Sequence, residues 1–284
     1  MSAIPVLQSI APLAATADLW FVDIWGVMHN GVRPYVSSVA ACEAFRQQGG
    51  TVLLVTNSPR PRESVGRQLD GIGVARSAYD GIVSSGDVSR SLIDAWAGEP
   101  ILHIGPERDV PIFAGLRATP GASVDDAAVA VCTGLYDDER ETPSDYAHIL
   151  ENLKSRDVPM ICANPDQKVE RGGRLVYCAG AIARAYEALA GNVSYAGKPF
   201  QPIYDLALEI GSDMRGKPVA KDRVLAIGDG VGTDIAGASN VGIRSVFIAS
   251  GVHVENGEDI GDAAARLFAK TAAQPIALMN AFVW

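Results

Sequence analysis

The sequence predicts an α/β protein: a doubly wound, Rossmann-like parallel sheet into which a second α/β domain is inserted. Three observations carry that expectation. Short apolar runs alternate with helical patterns, as in β-α-β-α winding. The runs are continuously apolar rather than alternating, as suits parallel strands covered on both faces. The alternation also restarts with a separate set of runs in the middle of the chain.

Taken in order, LWFV (19–22), TVLLV (51–55), VLAI (224–227) and RSVFIA (244–249) read as buried strands of the first sheet. Between the first two, Val39, Cys42 and Phe45 of SSVAACEAFRQQGG fall at helical spacing. Ser37 or Ser38 is placed to cap the start of that helix and Gly49 its end. Beyond Pro202, residues Ile203, Leu206, Ala207 and Ile210 follow i, i+3, i+4, i+7, with Gly211 as the expected stop. The middle has its own strands, ILHIG (101–105), AVAVCT (128–133) and MICAN (160–164), and its own helices, DYAHILENLKS and GAIARAYEALAG. The expected division is a core of residues 1–84 and 188–284 and an inserted domain of residues 85–187. Hinges are expected near GIVSSGD and ALAGNVSYAG.

Composition agrees. At about 150 residues per domain, the 284 residues suit two domains. Apolar residues make up 48% and charged residues 20%, enough for a sizeable core. The net charge of −9 argues against a nucleic-acid partner or an anionic membrane surface, while leaving room for a small anionic ligand. The LAATA near the N-terminus lacks the basic and apolar regions of a secretory signal, and no apolar run is long enough to span a membrane. Cys42, Cys132, Cys162 and Cys178 show no C-x-x-C spacing and read as buried thiols of a cytoplasmic protein.

Three polar residues directly follow three of the apolar runs: Asp23 after LWFV, Thr56 after TVLLV and Asp229 after VLAIG. Open parallel sheets bind ligands beyond the carboxyl ends of their strands, so these residues are expected to converge. Lys198 in AGKPF and Asp234, at the start of the helical TDIAGASN, are further candidates. Three neighbouring carboxylates repel one another unless a cation sits among them, and hard oxygen ligands favour Mg²⁺. Thr56, with the backbone N–H groups of Asn57 and Ser58 at a helix start, suits phosphate oxygens. Lys198 would neutralise the remaining charge, and Asp23 could attack phosphorus to form an aspartyl-phosphate. Each signal alone has a plainer reading, since Asp after a strand is a common helix cap and GKP and GDG are common turns. Their order on one strand–helix scaffold is what points to a site.

DIWGVMHNG, VTNSPR, GKP and IGDGVGTDIAGASNVGI, in that order, resemble motifs one to four of the haloacid dehalogenase superfamily. The insertion between the second and third motifs, with TGLYDD, ICANPDQ and YCAGAIARAYEALAG, is similar to the α/β cap of the class IIA branch, the nitrophenylphosphatase-like sugar and nucleotide phosphatases. The resemblance implies a hydrolase of a small phosphorylated metabolite, dependent on Mg²⁺, with a substrate-selecting cap and homodimers among its assembly states. It implies Asp23 as nucleophile and metal ligand, Asp229 as a second ligand, and Asp234 supporting the metal directly or through water. It further implies Thr56 and Lys198 on the phosphoryl group, Asn57 shaping the pocket, and the backbone carbonyl of Trp25 on the metal. In the cap, Asn164 and Asp166 are candidates facing the core, beside the plain reading of an Asn-Pro-Asp turn.

One position departs from the pattern. The phosphatases of the superfamily carry a second aspartate where this chain has Trp25; it protonates the leaving oxygen and then activates water. Indole only donates, and loss of a positioned acid–base forfeits about 10²–10⁴-fold in rate. Three readings stay open. The first is a phosphatase that is slow or limited to good leaving groups, with His29 as a surrogate base. The second is a metal-independent dehalogenase, whose first motif also carries an aromatic; the acidic GDGVGTD segment counts against it. The third is a catalytically weak protein that binds a phosphorylated metabolite. Trp25 also has a purely structural reading, as packing beneath the cap.

Overall fold

The computed structural model describes residues 4–171, 174–249, 254 and 258–284. The chain forms two compact units: Met1–Thr56, Gly66–Val83 and Lys198–Trp284 in the first, and Asn57–Val65 with Ser84–Gly197 in the second.

From the N-terminus the elements are α1 (Ala11–Ala14), β1 (Leu19–Val22), α2 (Val36–Gln47), β2 (Thr51–Thr56), α3 (Arg62–Ile72) and β3 (Gly81–Ser84). The middle supplies α4 (Ser85–Asp94), β4 (Ile101–Ile104), β5 (Val129–Cys132), α5 (Ala147–Ser155), β6 (Met160–Cys162), β7 (Lys168–Arg171), β8 (Arg174–Tyr177), α6 (Ala179–Ala188) and β9 (Val193–Tyr195). The last stretch adds α7 (Gln201–Arg215), β10 (Val224–Gly228), α8 (Ala236–Asn240), β11 (Arg244–Ile248), α9 (Ile260–Phe268) and β12 (Ala277–Met279).

The first sheet has the order β12-β11-β10-β1-β2-β3. Its strands from β2 through β1 and β10 to β12 pair in parallel. The chain steps from β1 outward to β2 and β3, and returns on β10 at the opposite flank of β1. The winding therefore reverses between β1 and β10, the position where an open sheet leaves a crevice at its carboxyl edge. Every residue of β1, β2 and β10 is buried, which explains their uninterrupted apolar sequences. Trp20 of β1 stacks on Phe45 of α2 with ring centroids 3.8 Å apart, and Phe282 and Trp284 close the same cluster.

Helix ends differ from the expectation in two places. The α2 helix starts at Val36 with Tyr35 at its cap, so Ser37 and Ser38 lie inside the first turn. The Tyr35 amide is tied to the Met28 carbonyl at 2.9 Å, and this fixes where the helix begins. The α7 helix passes through Gly211 and ends at Gly216, whose φ of +66° suits glycine. A Cβ at Gly211 would press on the Leu19 side chain, so this glycine marks close packing on β1 rather than a stop.

The second unit has its own parallel sheet, β4-β5-β6-β9, and a separate antiparallel pair, β7-β8. Leu102, Cys132, Met160 and Cys162 pack with Tyr146, Ile182 and Tyr186 in one apolar cluster. Val129, Val131 and Ile161 pack with Ile93 and Phe113 in another. Because β9 pairs with β6, with Met160 opposite Val193, the inserted unit runs to Gly197 and not to residue 187. ALAGNVSYAG thus contains a strand. GIVSSGD is ordered too: it is β3 followed by a capping box, in which the Ser84 hydroxyl accepts from the Asp87 amide and Asp87 accepts from the Ser84 amide, both at 3.0 Å. All four cysteines are buried free thiols, and no helix among the described residues is long and apolar enough to cross a membrane.

The two glycine environments give substitutions of opposite sign. Gly71 is an exposed residue of α3 with nothing near its missing Cβ, so Gly71→Ala should stabilise by about 0.5–1 kcal/mol. Gly211→Ala gains the same propensity but overpacks Leu19, a cost of roughly 1–3 kcal/mol, so it should destabilise. Urea denaturation of both variants checks the pair; equal shifts would show that Leu19 yields freely.

Candidate active site

Parallel register brings the strand-end residues together. Val22 lies opposite Ile227 on one side and Leu54 on the other, and the Asp23 amide bonds to the Ile227 carbonyl at 2.9 Å. Asp23 therefore stands level with Gly228 of β10 and Val55 of β2. Asp229 and Thr56 follow one step further along their own strands.

Lys198, at the return of the chain into the first unit, reaches this edge. Its Nζ donates to Asp23 Oδ1 at 2.5 Å, to Asp234 Oδ1 at 2.7 Å and to the Val55 carbonyl at 3.0 Å. Lys198 is 3% exposed. Burial alone would strip its proton, but the two carboxylates overcome this and hold it as an ammonium. Asp23 is pushed well above the usual carboxylate range by burial, then by the charges of Asp234 and Asp229, with Lys198 pulling the other way. One carboxylate oxygen from each of Asp23, Asp229 and Asp234 lies within 4.8 Å of the others. Two of the three acids, Asp23 and Asp234, thus share one bonded ammonium, and the oxygen-only donor set suits a hard divalent cation.

Asp234 is set by its own turn. It sits in a π-type turn, Val231–Ile235, before α8, and its Oδ2 accepts from the Gly230 amide at 3.0 Å. Gly228 leaves the space that this carboxylate fills, since a Cβ there would overlap it. Gly230 in turn leaves room for the Thr233 hydroxyl. The buried Tyr204 of α7, which sequence reasoning missed, brings its hydroxyl within 3.4 Å of the Thr233 and Asp234 carbonyls. Only its place on the inward face of α7 could have signalled it.

Asn57 and Ser58 belong to the second unit. They are not at a helix start: α3 begins at Arg62, because Pro59 and Pro61 bias the residues before them away from helical geometry. The Ser58 carbonyl accepts instead from the Gly86 amide of α4 at 3.0 Å. Asn57 Nδ2 donates to Asp166 Oδ1 at 2.9 Å, so Asp166 orients the Asn57 amide. Asn164 makes the turn that plain reading predicts, its Oδ1 accepting from the Asp166 amide at 3.0 Å.

The loop after Asp23 closes on itself. The Gly26 amide bonds to the His29 carbonyl at 2.9 Å, and the Met28 amide to the Ile24 carbonyl at 2.8 Å. The Trp25 indole lies over Gly31, where a Cβ would collide with the ring, and meets His29 edge-on at 5.1 Å between centroids. Gly31 also has φ +88°, so glycine is required there twice over. His29 is 1% exposed, and its Nδ1 accepts from the Gly31 amide at 2.9 Å. That bond fixes the neutral tautomer with hydrogen on Nε2, which leaves no open lone pair for a base. His29 is a loop-closing residue, not the surrogate base expected.

Burial lowers His29 to about 4 from an ordinary 6.5. The unfolded chain takes up this proton near pH 6.5 and the folded chain only near pH 4, so the stability is full above 6.5 and declines as pH falls through that window. His29→Asn keeps an acceptor for Gly31 without titrating. It should flatten the decline by on the order of 2–3 kcal/mol; denaturation midpoints with parallel pH dependence in both proteins would refute this.

Residues 20–117 match a family model described as haloacid dehalogenase-like hydrolase, and residues 195–272 match a second, HAD-hydrolase-like one. The crystal structure of a haloacid dehalogenase-like hydrolase from Brucella suis superposes with a TM-score of 0.89 and 45% identity, over 98% of this chain and 100% of that one. A D-glycerol 3-phosphate phosphatase from Mycobacterium tuberculosis is 24% identical over 85% of this chain, which spans 65% of that relative's length. The fold is also shared with a glycerol phosphate phosphatase from Mycobacterium tuberculosis crystallised with magnesium, at a TM-score of 0.69 and 22% identity over 98% of this chain and 77% of that one. The chain belongs to the haloacid dehalogenase-like hydrolase family.

Proposed function

We propose that the chain hydrolyses a small phosphate monoester, with Asp23 as nucleophile and a dependence on Mg²⁺. The observation that carries this reading is the buried cluster of Asp23, Asp229 and Asp234, with the Lys198 ammonium bonded to Asp23 and Asp234. With all three acids ionised the cluster holds more negative charge than one lysine balances, and the deficit is what a hard dication matches. The same side chains, with the backbone carbonyl of Trp25, would hold Mg²⁺, which supplies charge neutralisation for the carboxylates and for the phosphoryl oxygens. The magnesium complex of the mycobacterial phosphatase supports that choice of ion.

In the first step a carboxylate oxygen of Asp23 bonds to phosphorus as the ester P–O bond breaks. The leaving oxygen departs with the electron pair and takes a proton from water. A water molecule then attacks the aspartyl-phosphate, releasing inorganic phosphate and regenerating the Asp23 carboxylate. Lys198 holds Asp23 Oδ1 and opposes the charge brought by the phosphoryl group. The Thr56 hydroxyl and the backbone amides of Asn57 and Ser58 bind phosphoryl oxygens. The inserted unit acts as the substrate-selecting cap.

Protonation of the leaving oxygen is the weak step. The Trp25 indole is a hydrogen-bond donor that does not ionise near neutral pH, and the acceptor nitrogen of His29 is engaged by Gly31. Rate should then follow the stability of the departing oxygen, so aryl phosphates should turn over faster than glycerol 3-phosphate.

Trp25→Asp should raise kcat for the alkyl ester by up to about 10²–10⁴-fold, at some cost in stability because the indole covers Gly31. A phosphate-release assay with both substrates measures this, and Asp23→Asn should abolish both activities. Release that persists in Asp23→Asn would sink the aspartyl-phosphate route. An unchanged alkyl rate in a folded Trp25→Asp would mean that protonation is not limiting.

Metal binding has a readout apart from turnover. Mg²⁺ at a hundred times its Kd should stabilise the wild type by about 2.7 kcal/mol, and Asp229→Asn or Asp234→Asn should remove most of that gain. Calorimetric unfolding with and without Mg²⁺ reads it directly.

A further inference from the structure

The Tyr204 hydroxyl takes no part in the proposed reaction, yet it is buried against the turn that carries Asp234. Tyr204 is 3% exposed, and its Oη stands 3.4 Å from the Thr233 carbonyl and 3.4 Å from the Asp234 carbonyl. A phenol has one proton to donate. Sharing it between two acceptors makes both contacts longer than the usual spacing of about 2.7–2.8 Å.

The turn itself departs from α-helical geometry. Val231–Ile235 is π-wound, with the Ile235 amide reaching back to the Gly230 carbonyl at 3.1 Å. Such wide turns are rare and occur mostly as short pieces at functional positions. The start of the turn is closed by the Asp234 carboxylate, whose Oδ2 accepts from the Gly230 amide. Its end is met by the Tyr204 hydroxyl.

Space is made for that hydroxyl. A Cβ at Gly237 of α8 would lie 2.3 Å from its oxygen and 2.7 Å from the Tyr204 ring. The same ring meets Phe21 of β1 with centroids 6.5 Å apart.

The segment from Lys198 to Tyr204 therefore grips Asp234 twice. Lys198 Nζ holds the carboxylate Oδ1 at 2.7 Å, and the Tyr204 hydroxyl holds the backbone carbonyl. Bonds made behind a metal ligand set its direction and thereby its affinity.

We propose that Tyr204 is a positioning residue of the acid cluster: its hydroxyl fixes the Asp234 backbone, and so the direction of the carboxylate that Asp234 offers to Mg²⁺. This role rests on the reading of Asp23, Asp229 and Asp234 as a Mg²⁺ site, and Tyr204 acts through Asp234 rather than on the metal.

Calorimetric titration of Mg²⁺ into the full chain tests it. Tyr204→Phe keeps the ring and removes the bond, and should weaken Mg²⁺ binding about fivefold. Gly237→Ala keeps the phenol but displaces it, and should weaken binding at least as much. The two variants reach one bond from opposite sides, so either that folds is sufficient. Phe45→Leu is the control for general loosening. It disturbs the stack on Trp20 beside Gly50, at the amino end of β2, and should lower the urea midpoint while leaving Mg²⁺ affinity unchanged. Wild-type binding that Asp234→Asn abolishes and Tyr204→Phe leaves intact would overturn the role of Tyr204 alone. Equal losses in Phe45→Leu and Tyr204→Phe would also overturn it. A wild type that binds no Mg²⁺ would remove the metal reading, and this role with it.

Discussion

The ammonium of Lys198 is the contact on which the edge of the first sheet depends. It bonds at once to Asp23 after β1, to the Val55 carbonyl on β2 and to Asp234 beyond β10. Without it, three carboxylates would lie within 4.8 Å of one another in a buried place, where charge repulsion is strong. The cost of burying Lys198 is met by the same acids. Such a pair is poor evidence for added stability, because desolvation offsets attraction. It is better understood as a device that holds reactive groups in register, and a buried cluster left short of positive charge is one prepared for a cation.

Much of this edge was legible in the sequence because it depends on backbone register. A parallel sheet with buried strands announces each strand as an apolar run, and the residue after the run falls at the carboxyl edge whatever the rest of the fold does. Asp23, Thr56 and Asp229 could be read in that way. Lys198 and Asp234 lie off the strands and were legible mainly through their motif. Contacts that depend on side-chain geometry were not. The Asn57–Asp166 bond joins residues 109 apart in sequence, and Tyr204 looks like any apolar-face residue of α7. Boundaries failed where a residue has two meanings. Gly211 reads as a helix stop and is a packing gap, Ser37 and Ser38 read as caps and lie within the turn, and Val193–Tyr195 reads as a return to the core but pairs with β6.

Trp25 was the awkward residue of the first motif, and its surroundings make it less so. The indole is held between Gly31 below it and the edge of His29, and His29 is held by the Gly31 amide. Trp25, His29 and Gly31 thus form one unit, in which the glycine provides both a left-handed turn and the space for the ring. A tryptophan at this position is matched by its neighbours, so the loop is built around the aromatic. The same packing removes His29 from acid–base work, because its acceptor nitrogen serves the loop.

These two arrangements divide the chemistry of the first motif. Asp23 is held by the strand register and by Lys198, on the side of the sheet edge. Trp25 is held by its own loop, on the side of Gly31. Under the proposed function the first half of the motif keeps everything needed to attack phosphorus, and the second half gives up proton transfer in return for a closed loop. A site of that kind discriminates by leaving group before it discriminates by shape. Its substrate range then reflects the acidity of the departing alcohol as much as any contact made by the inserted unit.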